Sequence, residues 1–151
     1  MKRILLAFLA LIGSQIALAG VAIEHWVSPA GARVYFVRSD ALPILDVQVD
    51  FAAGAMFDPA KRAGLAALTL AVLDLGAGKL DENTIADRLA DVGAQLGAHA
   101  DSDRASVVLR TLVAPDKREP ALDLLRTVLG APRFDPAVVA REQARTIASL
   151  K

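Results

Sequence analysis

The sequence predicts an α+β fold, an antiparallel sheet with helices packed on one side, and three observations lead to it. Leu45, Val47, Val49 and Phe51 alternate with Asp46, Gln48 and Asp50, the period-two pattern of a strand with one buried and one wet face. Two β-prone runs at 95–100 and 105–112 flank Asp101-Ser102-Asp103, residue types that hydrogen-bond their own backbone in tight turns. Helical periodicity with recognisable ends fills the stretches between and after these runs, so strands and helices come in blocks rather than in strict alternation.

Ahead of the alternating strand, runs at 23–27 and 32–38 surround Ser28-Pro29-Ala30-Gly31, whose Pro and Gly predict a turn and hence a hairpin. Residues 62–75 read as a helix: Ala63, Leu65, Ala66, Ala67, Leu68, Leu70, Ala71, Val72 and Leu73 leave only Gly64, Thr69 and Asp74 as breaks, and Gly76-Ala77-Gly78 supplies the stop. A helix apolar on every side is expected to be buried on every side. Asp81 is placed to cap a second helix with Ile85, Leu89 and Val92 as its inner stripe and Gly93 as its end. Pro120 marks the first residue of a third helix, in which Leu122, Leu125, Val128 and Leu129 face inward until Gly130. Asp135 and Pro136 repeat the cap-plus-proline start for a fourth, which carries Val139, Ile147 and Leu150 and meets no terminator before Lys151. The order is three strands, two helices, two strands and two helices, with no linker, low-complexity tract or tandem repeat.

Lys+Arg and Asp+Glu each total 17, so no net field directs the chain to nucleic acid, an anionic membrane surface or an acidic substrate. Of 151 residues 54% are hydrophobic, enough to build one domain around a core. Lys2 and Arg3, the apolar run 4–12 and Ala17-Leu18-Ala19 before Gly20 have the layout of a secretory signal cleaved after Ala19. The alternative, an uncleaved anchor, is disfavoured because the run is too short to span a bilayer. The expected division is a signal over 1–19 and a domain over 20–151 that is truncated at its C-terminal end, as the unterminated last helix suggests. Cysteine is absent, which removes disulfides and a lipid anchor on Cys, and an exported domain held only by its core suits the bacterial periplasm.

Few side chains offer chemistry. His25 and His99 are the two histidines, on segments expected to form different strands. His99, Asp101 and Asp103 place three potential ligands at alternate positions, against the plainer reading of a hairpin tip with one neighbouring His. His25, beside Trp26, has no second ligand in view. Ser14 falls in the signal, and Ser102 and Ser106 have no base nearby in sequence. Gly76 and Gly78 lack the rest of a phosphate-loop pattern. Arg133, Arg141 and Arg145 are interleaved with Asp135 and Glu142 and read as a solvated helix face, and no nucleic-acid fingerprint is present.

Phe51-Ala52-Ala53-Gly54-Ala55, then Asp58, then Lys61-Arg62-Ala63-Gly64-Leu65-Ala66, resembles the strand, the G-x-x-x-D turn and the G-L-A that opens the metal helix in the N-terminal domain of the insulinase/pitrilysin family. Ile85-Ala86-Asp87-Arg88-Leu89 with Val92-Gly93-Ala94 is similar to the family's L-x-x-x-G-G helix end, and Pro132-Arg133-Phe134 with Arg141-Glu142 to the P-x-F and R-E of its last helix. The resemblance covers residues 22–151 and implies the LuxS/processing-peptidase-like metallohydrolase half-domain. In active members H-x-x-E-H follows G-L-A: two His one turn apart bind zinc and the Glu activates the attacking water. Those positions fall on Ala67, Leu70 and Ala71, which carry no lone pair for a metal and no carboxylate for a proton. The third ligand, a Glu on the last helix, corresponds to the window 146–150, which reads Thr-Ile-Ala-Ser-Leu. The family's N-A-x-T strand is represented by Gly97-Ala98-His99, without the Asn.

The resemblance therefore implies a member in which zinc is expected of the family but its ligands are missing, with no catalytic residue, metal or cofactor to assign. Three functions follow from it: a catalytically inactive substrate-binding or structural partner of an active zinc peptidase half, an active zinc endopeptidase whose site lies outside this segment, or a purely structural subunit. The implied partners are a homologous zinc-bearing subunit or second domain and a peptide or unfolded polypeptide, with no nucleic acid and no stable membrane span after signal cleavage.

Overall fold

The computed structural model describes residues 21–149, so the signal reading over 1–19 and the expected contribution of Leu150 lie outside the described residues. The chain divides into two compact units, Met1–Leu42 and Pro43–Lys151. The first contributes a hairpin of β1 (Ile23–Val27) and β2 (Arg33–Val37), paired antiparallel with Ile23 opposite Val37 and Val27 opposite Arg33. Its turn is held by Ser28, whose N–H donates to the Ala32 carbonyl at 2.8 Å while its Oγ accepts from the Ala32 N–H at 3.0 Å. Gly31 sits at φ +86°, where a side chain would be strained.

The second unit is built on β3 (Ile44–Phe51), β6 (Gln95–Ala100) and β7 (Ala105–Leu112), in the order β3-β7-β6 and antiparallel throughout. Alternation sets the two faces. Ala105, Val107, Leu109 and Thr111 of β7 are all buried, and the register sets Val47 and Leu96 on either side of Leu109. Leu70 of α1 (Leu65–Ala71), Ile85 of α2 (Glu82–Val92) and Ala121, Leu124, Leu125 and Val128 of α3 (Pro115–Gly130) join that face in one hydrophobic cluster. Burying the valine, leucine and isoleucine side chains among these contributes roughly 1.5–3 kcal/mol each before chain entropy is charged against it. The helices lie on one side of the antiparallel sheet, as the sequence predicts.

Helix ends follow local chemistry. Asp81 caps α2 by accepting from the Thr84 N–H at 2.9 Å, and Gly93, at φ +65°, closes it with the Ala94 N–H reaching back to the Leu89 carbonyl at 2.9 Å. Asp135 caps α4 (Pro136–Ser149) through the Ala137 N–H at 3.0 Å. Three expectations need correction. The helix read over 62–75 is shorter, Leu65–Ala71, because Val72 ends it. Gly76–Ala77, read as its stop, is instead strand β4, paired with β5 (Leu80–Asp81) and bridged from Ala77 to Pro132. The third helix starts at Pro115, not Pro120: the Ala114 carbonyl receives the N–H groups of Lys117 and Arg118, and Pro120 is carried inside on the exposed side. Both prolines satisfy the rule for a first helical residue, and the upstream one prevails because Asp116 follows it in the first turn.

Candidate functional site

Helix α1 carries Ala67, Leu70 and Ala71, the positions that the resemblance sets against the metal motif, and its N-terminus is held by residues outside the helix. Asp58 caps its N-terminus from outside the helix, Oδ2 accepting from the Gly64 N–H at 2.8 Å and Oδ1 from the Ala66 N–H at 2.9 Å. Gly64 holds φ +89° to bring those amides round. The segment before Asp58 is in turn clamped to the β6–β7 turn: the Ala55 N–H donates to the Asp101 carbonyl at 2.9 Å and the Met56 N–H to the Ser102 carbonyl at 2.7 Å. Gly54 is pressed against the same turn so closely that an added Cβ would overlap the backbone of Ser102, Asp103 and Arg104. The residues that look like a family turn motif are thus a mechanical mount for α1.

On that mount Ala67 and Ala71 lie one helical turn apart and are both exposed, while Leu70 is 8% exposed and belongs to the core. This corrects the expectation of burial all round, since Leu65 is also 41% exposed. Two methyl groups on the open face and an isobutyl group in the core give zinc no donor, so the residues present do not fit the ion. On α4 the window after Glu142 is equally spent: Thr146 Oγ1 donates to the Glu142 carbonyl at 2.9 Å and Ser149 Oγ to the Thr146 carbonyl at 2.8 Å. Glu142, whose side chain is 12% exposed, is occupied by Arg141 at 2.9 Å and Arg145 at 3.6 Å, and Arg141 also reaches Glu82 at 2.7 Å. Arg141 therefore ties α4 to α2, Arg145 pairs within α4 alone, and Arg133 lies against Gly76 and donates its N–H to the Gly76 carbonyl at 3.0 Å.

The other candidates are dispersed. His25 stacks on Tyr35 in the hairpin unit, with ring centroids 6.3 Å apart. His99 lies on the outer face of the three-stranded sheet, whereas Asp101 and Asp103 belong to the turn whose backbone holds residues 54–56. Among the described residues no three His, Cys, Asp or Glu side chains converge as metal ligands would. Ser106 is 1% exposed, and its hydroxyl donates to Asp50 at 2.6 Å. Gly78 donates its N–H to the Ala131 carbonyl at 2.8 Å, part of the β4 ladder rather than a phosphate cradle.

The polar groups on the outer sheet face were not foreseen as partners. Arg110 binds Asp46 with both arms, Nε at 2.6 Å and Nη2 at 2.9 Å, and these bonds hold the Asp46 carboxyl below the usual range. Asp50 is lowered by the Ser106 hydroxyl first and then by Gln48. The signal was legible: Arg110 is the one charged residue in the run 105–112, and the register sets it directly opposite Asp46, one of the alternating acids. With Asp46, Gln48 and Arg110, the residues Val47, Gln95, Leu96, Gly97 and Val108 line a shallow depression of about 530 Å³.

Comparison with known proteins places this architecture. A search of curated protein sequences finds no match. An inactive domain of a peptidase M16 from Pseudomonas fluorescens superposes with a TM-score of 0.80 at 38% identity, over 85% of this chain and 31% of that one. A protease from Helicobacter pylori (TM-score 0.66, 17% identity, 76% and 27% covered) and the periplasmic protease PqqL from Escherichia coli (0.73, 18%, 86% and 15%) share the fold. The chain therefore spans a third or less of the length of each. Among the described residues no helix is long and apolar enough to cross a membrane. The sequence model for insulinase, peptidase family M16, matches residues 33–150, and with the antiparallel sheet, its one-sided helices and the mount of α1 in place, the chain belongs to that family.

Proposed function

We propose that this chain is a catalytically silent M16 domain that serves an active zinc peptidase half in the cell envelope as its substrate-binding or structural partner. The observation that carries the reading is α1, whose mount is intact while the motif positions are Ala67, Leu70 and Ala71. A carboxylate at the buried position of Leu70 would be costly to keep without a metal; leucine removes that cost, and alanine at the exposed positions 67 and 71 preserves the helix.

Two features favour a binding role. Strand β6 is at the edge of its sheet among the described strands and packs beside α1, so its outer backbone groups are available to an extended polypeptide. Met56, Phe57 and Leu65, on α1 and the turn that mounts it, are 67%, 57% and 41% exposed, an apolar surface of the kind that meets a partner. The description of the Pseudomonas fluorescens relative as an inactive domain accords with the silent site, and the periplasmic location of PqqL accords with export through a signal over 1–19.

The test is co-purification of the mature full-length chain with a zinc-bearing M16 half from the same genome. Co-elution and faster cleavage of an unfolded polypeptide than by the zinc half alone are expected. Two proteins that elute apart, with cleavage unchanged on mixing, would overturn the proposal.

A further inference from the structure

We draw no further inference here: the strongest candidate, the depression on the outer face of the three-stranded sheet bounded by Asp46, Gln48, Gln95, Gly97, Val108 and Arg110, carries the self-satisfied ion pair and amides of an ordinary solvated sheet face, and nothing in the structure shows what covers it.

Discussion

Thr111 is 2% exposed on the inner face of β7, and among the described residues its Oγ1 has no hydrogen-bond partner. A buried hydroxyl left unpaired costs about 1–3 kcal/mol, and valine has nearly the same shape without that cost. Thr111→Val is expected to raise stability by about 1 kcal/mol, read as a higher denaturation midpoint at constant slope. Asp58 acts in the opposite sense, because it satisfies two amides of α1 at once. Asp58→Ala is expected to cost about 1–2 kcal/mol and to speed hydrogen exchange at Gly64 and Ala66 before it does so in the sheet.

Asp74 supplies a pH signature. Burial first, and Glu82 less strongly, push its carboxyl above the ordinary value, so the folded state holds its proton more tightly than the unfolded chain. Its contribution to stability is complete below the unfolded carboxyl pKa of about 3.9 and is lost as pH rises through the raised folded value. Asp46, Asp50 and Asp81, all lowered, contribute above the unfolded value and lose that contribution as pH falls through their folded values. Asp74→Asn is therefore expected to stabilise the protein near neutral pH, with the gain vanishing in acid. Unfolding curves in which wild type and variant differ by the same amount from acid to neutral pH would refute this.

At the scale of elements, legibility depended on whether the deciding force was local. The hairpin of β1 and β2, strand β3, the β6–β7 pair and the caps Asp81, Gly93 and Asp135 were all readable, because alternation and capping act within a few residues. Helix α1 was overextended because Val72 and Leu73 look helical by composition, while their burial is decided by the strands and helices they meet. The β4–β5 ladder is local, Gly76 opposite Asp81 and Ala77 opposite Leu80, but its two-residue strands are too short to show a period, and its bridge from Ala77 to Pro132 spans more than fifty residues, which no window contains. The residues at 67, 70 and 71 were legible, the exposure of Ala67 and Ala71 was not, and the all-round burial expected of the helix held at the core position of Leu70.

That position sharpens a prediction. Restoring the motif with Ala67→His, Leu70→Glu and Ala71→His would put imidazoles on an exposed face but a carboxylate into the cluster of Leu73, Ile85 and Leu109, and Glu142 is already bound by two arginines. The triple variant is expected to be less stable than wild type and to bind zinc no better than an exposed His pair does. Tight zinc uptake with unchanged stability, by titration and thermal melting, would show that a third ligand has been misplaced.

Across the molecule, the second unit keeps the family's fold and the mount of α1, and in the proposed reading α1 is the helix from which the metal chemistry has gone. Selection for folding and for a surface can preserve that pattern without selection for hydrolysis, since family membership fixes architecture and the site fixes function. The most direct measurement is the zinc content of the purified full-length protein, taken together with its peptidase activity alone. The account predicts substoichiometric zinc and no cleavage until a zinc-bearing half is added. One zinc per chain, with cleavage abolished by a chelator and restored by zinc, would contradict it.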